Sequence, residues 1–268
     1  MPELPEVETV CRRIAPLLEG RKIVAVQIDK PQVSKPIAPE IFANQLVGRK
    51  IDHVSRRAKN VLIHFADENV LRIHFNMTGN LVFSEPEDRH KYARAWFHLD
   101  EGPELVYIDP RILGHMWLYD PAQLKKFDQS LGIEPLSSEF TSSWLKNRVA
   151  RINKPAKLFL TDQAYVVGLG NIWAAEALFE ARIHPEVPIN SLSSRKITAL
   201  HAAIVAVLKA AVKSAYRGYT APGETDESDG FNVAVYQREE KPCVRCGRSI
   251  QRITQDGRST YFCAHCQR

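Results

Sequence analysis

No uninterrupted apolar run approaches the roughly 20 residues that a membrane-spanning helix needs, so the sequence is read as having no membrane partner. Glu3, Glu6 and Glu8 stand where a secretory signal has a basic region and an apolar stretch, and the expectation is a cytoplasmic protein. Internal repeats and low-complexity tracts are missing. Cysteine is scarce until the end: Cys11 stands alone, and the other four lie within the last 26 of 268 residues. In a cytosolic chain that clustering favours a metal site over disulfides. Acid is slightly outnumbered, 31 Asp and Glu against 36 Lys and Arg, for a net charge of +5. That bias alone suits nucleic acid and many other partners, but its distribution is uneven. From Lys241 onward six basic residues (Lys241, Arg245, Arg248, Arg252, Arg258 and Arg268) face one acid, Asp256. Such a terminus fits a phosphate-contacting module as well as a solvated tail.

The rest is ordinary globular composition, long enough for two modest domains. Val7, Cys11, Ile14 and Leu18 predict a helix over 3–19, stopped by Gly20. Cys11 is then a small buried apolar residue. Short β-type runs follow at Lys22–Ile28, Val61–Phe65, Val70–Phe75, Leu81–Phe83, Arg94–Leu99 and Leu105–Ile108, which predict an all-β sandwich or barrel behind a leading helix. Proline and Ser/Thr-rich sequence over 120–150 reads as a hinge. Helical spacing returns over Asn171–Ala181 and Ser194–Tyr216, the latter with Ile197, Leu200, Ile204, Leu208 and Val212 on one face. Residues 217–231, including Glu224, Asp226, Glu227 and Asp229, read as a polar loop. The expected organisation is α+β: an N-terminal β-sandwich domain over 1–130, a linker over 131–150, a helical domain over 151–236, and a zinc ribbon over 237–268.

Three constellations carry chemistry. Cys243-x2-Cys246 and Cys263-x2-Cys266 let two turns present four thiolates tetrahedrally, the donor set of one structural zinc. Four thiolates leave no open coordination position, so the ion holds the fold and does no catalysis, and His265 is not needed as a ligand. Between the knuckles, Asp256–Gly257 marks a hairpin turn. Second, Gly168–Leu169–Gly170–Asn171 precedes a helix, a tight turn whose amides suit a phosphate. Third, in Met1–Pro2–Glu3, removal of Met1 exposes a secondary amine. An α-amino group titrates near 7.7–8.0, so part of it is neutral and nucleophilic at pH 7, and neighbouring carboxylates can shuttle protons. The same residues also suit the first turn of any helix.

Together these motifs resemble the formamidopyrimidine-DNA glycosylase family, shared with endonuclease VIII. Pro2–Glu3–Leu4–Pro5–Glu6–Val7–Glu8 resembles its opening. Arg56–Arg57–Ala58–Lys59 resembles its lysine loop, and His74–Phe75–Asn76–Met77–Thr78–Gly79 its wedge methionine segment. Asp109–Pro110–Arg111 resembles its wedge arginine loop. Residues Gly168 to Glu176 resemble its helix–two-turns–helix signature, and the cysteines its zinc finger. The likeness spans essentially the whole chain. It implies a bifunctional glycosylase and abasic-site lyase of base excision repair, acting on double-stranded DNA with oxidised or missing bases. The implied protein is a monomer, cytoplasmic and nucleoid-associated in a bacterium, with DNA running between its two domains.

By the same resemblance Pro2 is the nucleophile, Glu3 the general acid/base and Glu6 its support. Lys59 contacts a phosphate beside the lesion, and Asn171 and Arg258 clamp phosphates, Arg258 within the catalytic group. Lys157 lies near the damaged base, Met77, Arg111 and Leu113 are wedges in the DNA, and Glu176 is a supporting residue. Three positions depart from the family pattern. Leu113 stands where an aromatic wedge is usual, which opens the opposite-base preference. Asn60 follows the lysine where an aromatic is usual. The stretch from Thr220 to Phe231 is shorter and more acidic than the loop that caps a flipped purine. Oxidised purines (8-oxoguanine, formamidopyrimidines) are the first expectation. The alternatives are an endonuclease VIII-like preference for oxidised pyrimidines and a non-catalytic module that binds damaged DNA.

Overall fold

A computed structural model describes residues 2–85, 90–218 and 233–268, with no account of the side chains at 217 and 218. The loop expected over 217–231 therefore lies almost wholly outside the described residues, Thr220 and its acidic residues included. Among those described, the chain forms two compact units, one within 2–129 and one within 130–217 and 233–268.

The first unit opens with α1 (Leu4–Leu18). Glu3 and Glu6 cap it reciprocally and Pro5 sits in its first turn, where a missing amide hydrogen costs nothing. Leu4, Val7, Val10, Cys11, Ile14 and Leu18 form its buried stripe. Two four-stranded antiparallel sheets follow. The first runs β1 (Ile23–Ile28), β6 (Ala93–Leu99), β7 (Glu104–Ile108), β5 (Asn80–Ser84). The second runs β2 (Ile51–Arg57), β3 (Asn60–Phe65), β4 (Val70–His74), β8 (His115–Tyr119). In β6 alternate residues Ala93, Ala95, Phe97 and Leu99 point inward, the period-two pattern of a half-buried strand. Both sheets and α1 share one core, in which Val7 and Ile14 join Ile63, Ile73, Phe75, Phe97, Leu105 and Tyr107. The sandwich and its leading helix are as expected.

The unit is not all-β behind that helix, however. Two more helices occur, α2 (Pro39–Leu46) and α3 (Pro121–Gln129). Proline at the N-terminal turn and buried Phe42, Ala43 and Leu46 specify α2. α3 buries nothing fully and owes its start to a reciprocal cap, in which Asp120 N–H donates to Gln123 and Gln123 N–H donates to Asp120. The strands that the hydrophobic pattern passes over, β2 and β8, are the two edges of their sheet. Ile51 and Met116 are their only fully buried residues, so neither carries a clear alternation.

The second unit contains α4 (Ser142–Val149), α5 (Ala156–Thr161), α6 (Asn171–Glu180), α7 (Ser194–Gly218) and the hairpin β9 (Gln251–Gln255) and β10 (Arg258–Phe262). Within the stretch expected as a linker, α4 is capped by Thr141 and buries Leu145 and Val149, and Ile133 bridges to Val166. By length and composition α7 is apolar enough to cross a membrane. Its apolar face, from Ile197 through Leu200, Ile204 and Leu208 to Ala215, is buried in the unit, and Lys209 and Lys213 occupy the exposed face. That two-faced pattern is a core helix. Asp256 (φ 49°) and Gly257 (φ 69°) turn the hairpin, the left-handed pair of a tight β-turn.

Candidate active site

The first turn of α1 places two buried carboxyl groups beside Pro2, itself buried. Glu3 is 1% and Glu6 4% exposed. The Glu3 amide donates to Glu6 Oε2 at 2.8 Å. Glu6 Oε1 is buried without a hydrogen-bond partner. Burial, followed by the neighbouring Glu3 charge, pushes the Glu6 carboxyl up to about 7. Near neutral pH Glu6 therefore retains a proton for part of the time, next to a second carboxyl group and three residues beyond Glu3.

Lys59 lies in the two-residue turn between β2 and β3, closed by the Arg57–Asn60 pair. It is 8% exposed. Ala58 takes φ 54°, which a side-chain-bearing residue rarely adopts. Arg56 ties this turn to α1, donating to Glu8 Oε2 at 3.0 Å and to the Ala58 carbonyl at 2.8 Å. Helix and lysine turn are thus one assembly. His74, which reads as an ordinary strand residue in the sequence, pairs with Asn60 across β3 and β4. Burial, then the charges of Arg72 and Lys59, lower it to about 4. It is neutral at pH 7, and because its Nδ1 accepts the Asn76 amide at 3.1 Å, the ring proton resides on Nε2. Only the strand register brings His74 to the lysine.

The two loops holding Met77, Arg111 and Leu113 are joined by Asp109, to which the sequence assigns no role of its own. It is fully buried. Its carboxylate accepts from the Thr78 hydroxyl, from the Tyr107 hydroxyl at 3.2 Å, and from the amides of Arg111 (3.2 Å), Leu113 (2.8 Å) and Gly114 (2.7 Å). Asn76 adds a bond to the Leu113 carbonyl. A Cβ at Gly114 lies 1.7 Å from the Tyr107 hydroxyl and one at Gly79 2.7 Å from it, so both loops need glycine for close approach. Ile112 takes φ 54°, a strained conformation for a β-branched residue. Arg111 is exposed, Leu113 41% exposed and Met77 half-buried. The signal available in the sequence was the Asp–Pro pair opening an exposed loop.

In the second unit Asn171 opens α6 after Gly168 (φ 84°) and Gly170. Its Nδ2 donates to the Ser259 carbonyl at 2.8 Å, and its Oδ1 is buried without a partner. Lys157 is 1% exposed and donates to Thr260 Oγ1 at 2.6 Å and to the same Ser259 carbonyl at 3.3 Å. Both residues grip β10, beside exposed Arg258. Glu176 accepts the amides of Ala234, Val235 and Tyr236 at 2.7–2.9 Å. It anchors the segment entering the ribbon, although burial raises its affinity for a proton.

The sulfurs of Cys243, Cys246, Cys263 and Cys266 all lie within 4.8 Å of one another. Cys243–Cys266 and Cys246–Cys263 are 3.9 and 3.6 Å apart. A tetrahedron with Zn–S of about 2.3 Å has edges of about 3.8 Å, so the four residues fit one zinc. The Arg245 amide donates to Cys243 Sγ at 3.4 Å, and Gln267 bonds both the Cys263 amide and the Ile183 carbonyl, fastening the knuckle to its unit.

The described residues thus carry a sandwich with a buried carboxyl pair at its helical N-terminus, a glycine-turned helix start and a four-cysteine ribbon. Family models agree along the chain. Residues 1–116 match the formamidopyrimidine-DNA glycosylase N-terminal domain, 131–221 the H2TH domain of the same glycosylase, and 240–268 the zinc finger found in FPG and IleRS. The chain belongs to the formamidopyrimidine-DNA glycosylase family. It is 39% identical to the glycosylase of that name from Desulforamulus reducens and 41% identical to that of Bacillus subtilis, in each case over 100% of this chain and 99% of the relative. A wild-type Lactococcus lactis Fpg in complex with an oxidised-pyrimidine-containing DNA aligns with TM-score 0.90 and 32% identity over 100% of both chains. A mutant of the same enzyme with a Fapy-dG-containing DNA gives the same values.

Proposed function

We propose that this chain is a bifunctional DNA glycosylase and abasic-site lyase that works through Pro2. The observation that carries the reading is the buried Glu3–Glu6 pair in the first turn of α1, next to Pro2. Once Met1 is removed, the neutral proline amine attacks C1′ of the damaged nucleotide. The base departs with a proton, the sugar ring opens as Glu3 protonates its oxygen, and an iminium links Pro2 to C1′. Loss of a C2′ proton then expels the 3′ phosphate, a second elimination expels the 5′ phosphate, and hydrolysis frees the amine. Glu6 holds the Glu3 backbone and shares its proton inventory.

The base must leave the stack before this chemistry. Met77, Arg111 and Leu113 fill the gap it vacates. Lys59 contacts a phosphate beside the lesion, Asn171 and Arg258 grip the backbone, and Lys157 braces the ribbon strand near the flipped base. One structural zinc holds that ribbon. Oxidised purines are the first substrate class. Oxidised pyrimidines are the second reading, favoured by the short acidic sequence from Thr220 to Phe231 where a purine-capping loop is usual, while Leu113 bears on the base opposite the lesion. We place the protein in the bacterial cytoplasm, at the nucleoid.

Borohydride trapping on an 8-oxoguanine duplex, with an abasic duplex as control, tests the reading. Adducts on both support Schiff-base chemistry and oxidised-purine excision. An adduct on the abasic duplex alone keeps the lyase and moves the substrate to oxidised pyrimidines. If neither traps after intact mass confirms loss of Met1, the chain is a non-catalytic DNA-binding module.

A further inference from the structure

We infer that Asn60 and Arg72 are positioning residues for Lys59, a pair that sets the lysine turn through hydrogen bonds to the backbone. The inference rests on the phosphate-contacting role proposed for Lys59. In the strand register Arg72 on β4 lies opposite Leu62 on β3 and opposite Trp117 on β8. It shares a sheet face with Asn60, two residues from Leu62, which makes Asn60 its diagonal neighbour. The guanidinium stacks between Trp117 and Phe127, its central carbon 4.0 and 4.1 Å from the ring centroids. Its Nη1 donates to the Tyr119 hydroxyl at 2.7 Å. A planar cation packed between two rings and bonded at one edge has little freedom to turn. Its Nε is left aimed at Asn60 Oδ1, at 2.8 Å.

That bond orients the Asn60 amide, whose Nδ2 then donates to the Arg57 carbonyl at 3.0 Å. The Arg57 carbonyl opens the turn, and the Ala58 carbonyl is held from the other side by Arg56. Both restraints flank Ala58, whose φ of 54° an alanine does not hold unaided. Asn60 is 4% exposed, so its amide has no water to replace these partners. The asparagine that replaces the usual aromatic thus exchanges stacking for a directional bond, and Arg72 with its aromatic cage supplies the rigidity behind it. Lys59 follows the strained residue directly, so the direction of its side chain depends on that turn.

The readout is the salt dependence of binding to a duplex carrying a tetrahydrofuran abasic analogue. Neutralising one phosphate contributes about 0.9 to the slope of log affinity against log salt. Lys59→Met is expected to lower the slope by about that amount. Asn60→Ala and Arg72→Lys leave the net charge unchanged, yet each is expected to lower it by about half that or more. Adding Asn60→Ala to Lys59→Met is expected to lower it no further. A purely structural role lowers the melting temperature of both variants and leaves the slope alone. The inference is overturned if Lys59→Met flattens the slope while the two charge-neutral variants keep that of the parent. An unchanged slope in Lys59→Met overturns the phosphate role of Lys59, and this inference with it. Should Asn60→Ala fail to fold, Arg72→Lys decides alone.

Discussion

Replacing Asp109 by Asn tests whether one buried carboxylate builds the loops assigned to the DNA wedge. The change is nearly isosteric, so packing is preserved and only hydrogen bonding is disturbed. Oδ2 serves the Leu113 and Gly114 amides and the Tyr107 hydroxyl, and Oδ1 the Thr78 hydroxyl and the Arg111 amide. An amide NH2 in the Oδ2 position sets a donor against two backbone donors. The flipped amide sacrifices only the Arg111 bond, since the Thr78 hydroxyl can rotate and accept, so that arrangement wins. The cost is then one unsatisfied amide, about 1–3 kcal/mol, plus the weakening of the remaining bonds as a charged acceptor becomes neutral. Relief of carboxylate desolvation offsets part of this, and the expected net loss is about 2–4 kcal/mol. Urea unfolding measures it, and amide exchange at Arg111, Leu113 and Gly114 shows whether the loss is global or confined to the loop. Binding to the abasic-analogue duplex should weaken by about tenfold as Arg111 and Leu113 lose their fixed placement, a 1.4 kcal/mol effect. Stability within about 0.5 kcal/mol of the parent, together with unchanged exchange at the three amides, would refute the assignment.

Two further perturbations follow from the same geometry. The Glu6 carboxyl keeps its proton to about pH 7 when folded and to about 4.5 when unfolded, so the native state binds the extra proton and stability falls as pH rises through that window. Above it the accumulated cost is about 3 kcal/mol. Glu6→Gln should gain up to about that much at pH 8 and little at pH 4.5, and a gain independent of pH counts against the account. Zinc is expected at one ion per chain by elemental analysis, and chelation should strip amide protection from β9 and β10 while β3 and β4 keep theirs, because metal binding is folding energy for such a ribbon. The loss of the Ser259 carbonyl as a partner for Lys157 and Asn171 should also weaken DNA binding, and a chelated protein that binds as before would exclude this linkage.

Patterns repeating within a few residues were legible directly. The stripe from Val7 to Leu18, the alternation in β6, the Asp256–Gly257 turn and the paired cysteine knuckles each specify local geometry from neighbours along the chain. The cap that starts α3, Asp120 to Gln123, was equally legible as a signal but is not matched by any apolar stripe, so it escapes a hydrophobic reading. The edge strands β2 and β8 lack alternation because edges bury too little to impose it.

Partners that lie far apart in the sequence are assembled by the fold alone. Nothing near position 109 says that one carboxylate gathers Thr78, Tyr107 and three amides, because those donors converge through sheet register and loop closure. Nothing near position 74 says that its imidazole is neutral, since burial and the charges on neighbouring strands set that. Nothing near position 157 says that its ammonium is buried against Thr260, more than a hundred residues away. Residue type and short spacing are enough to set the chemical groups, their local elements and the metal donor set. The fold decided which groups meet and how far each is desolvated, since both depend on contacts that no local pattern encodes.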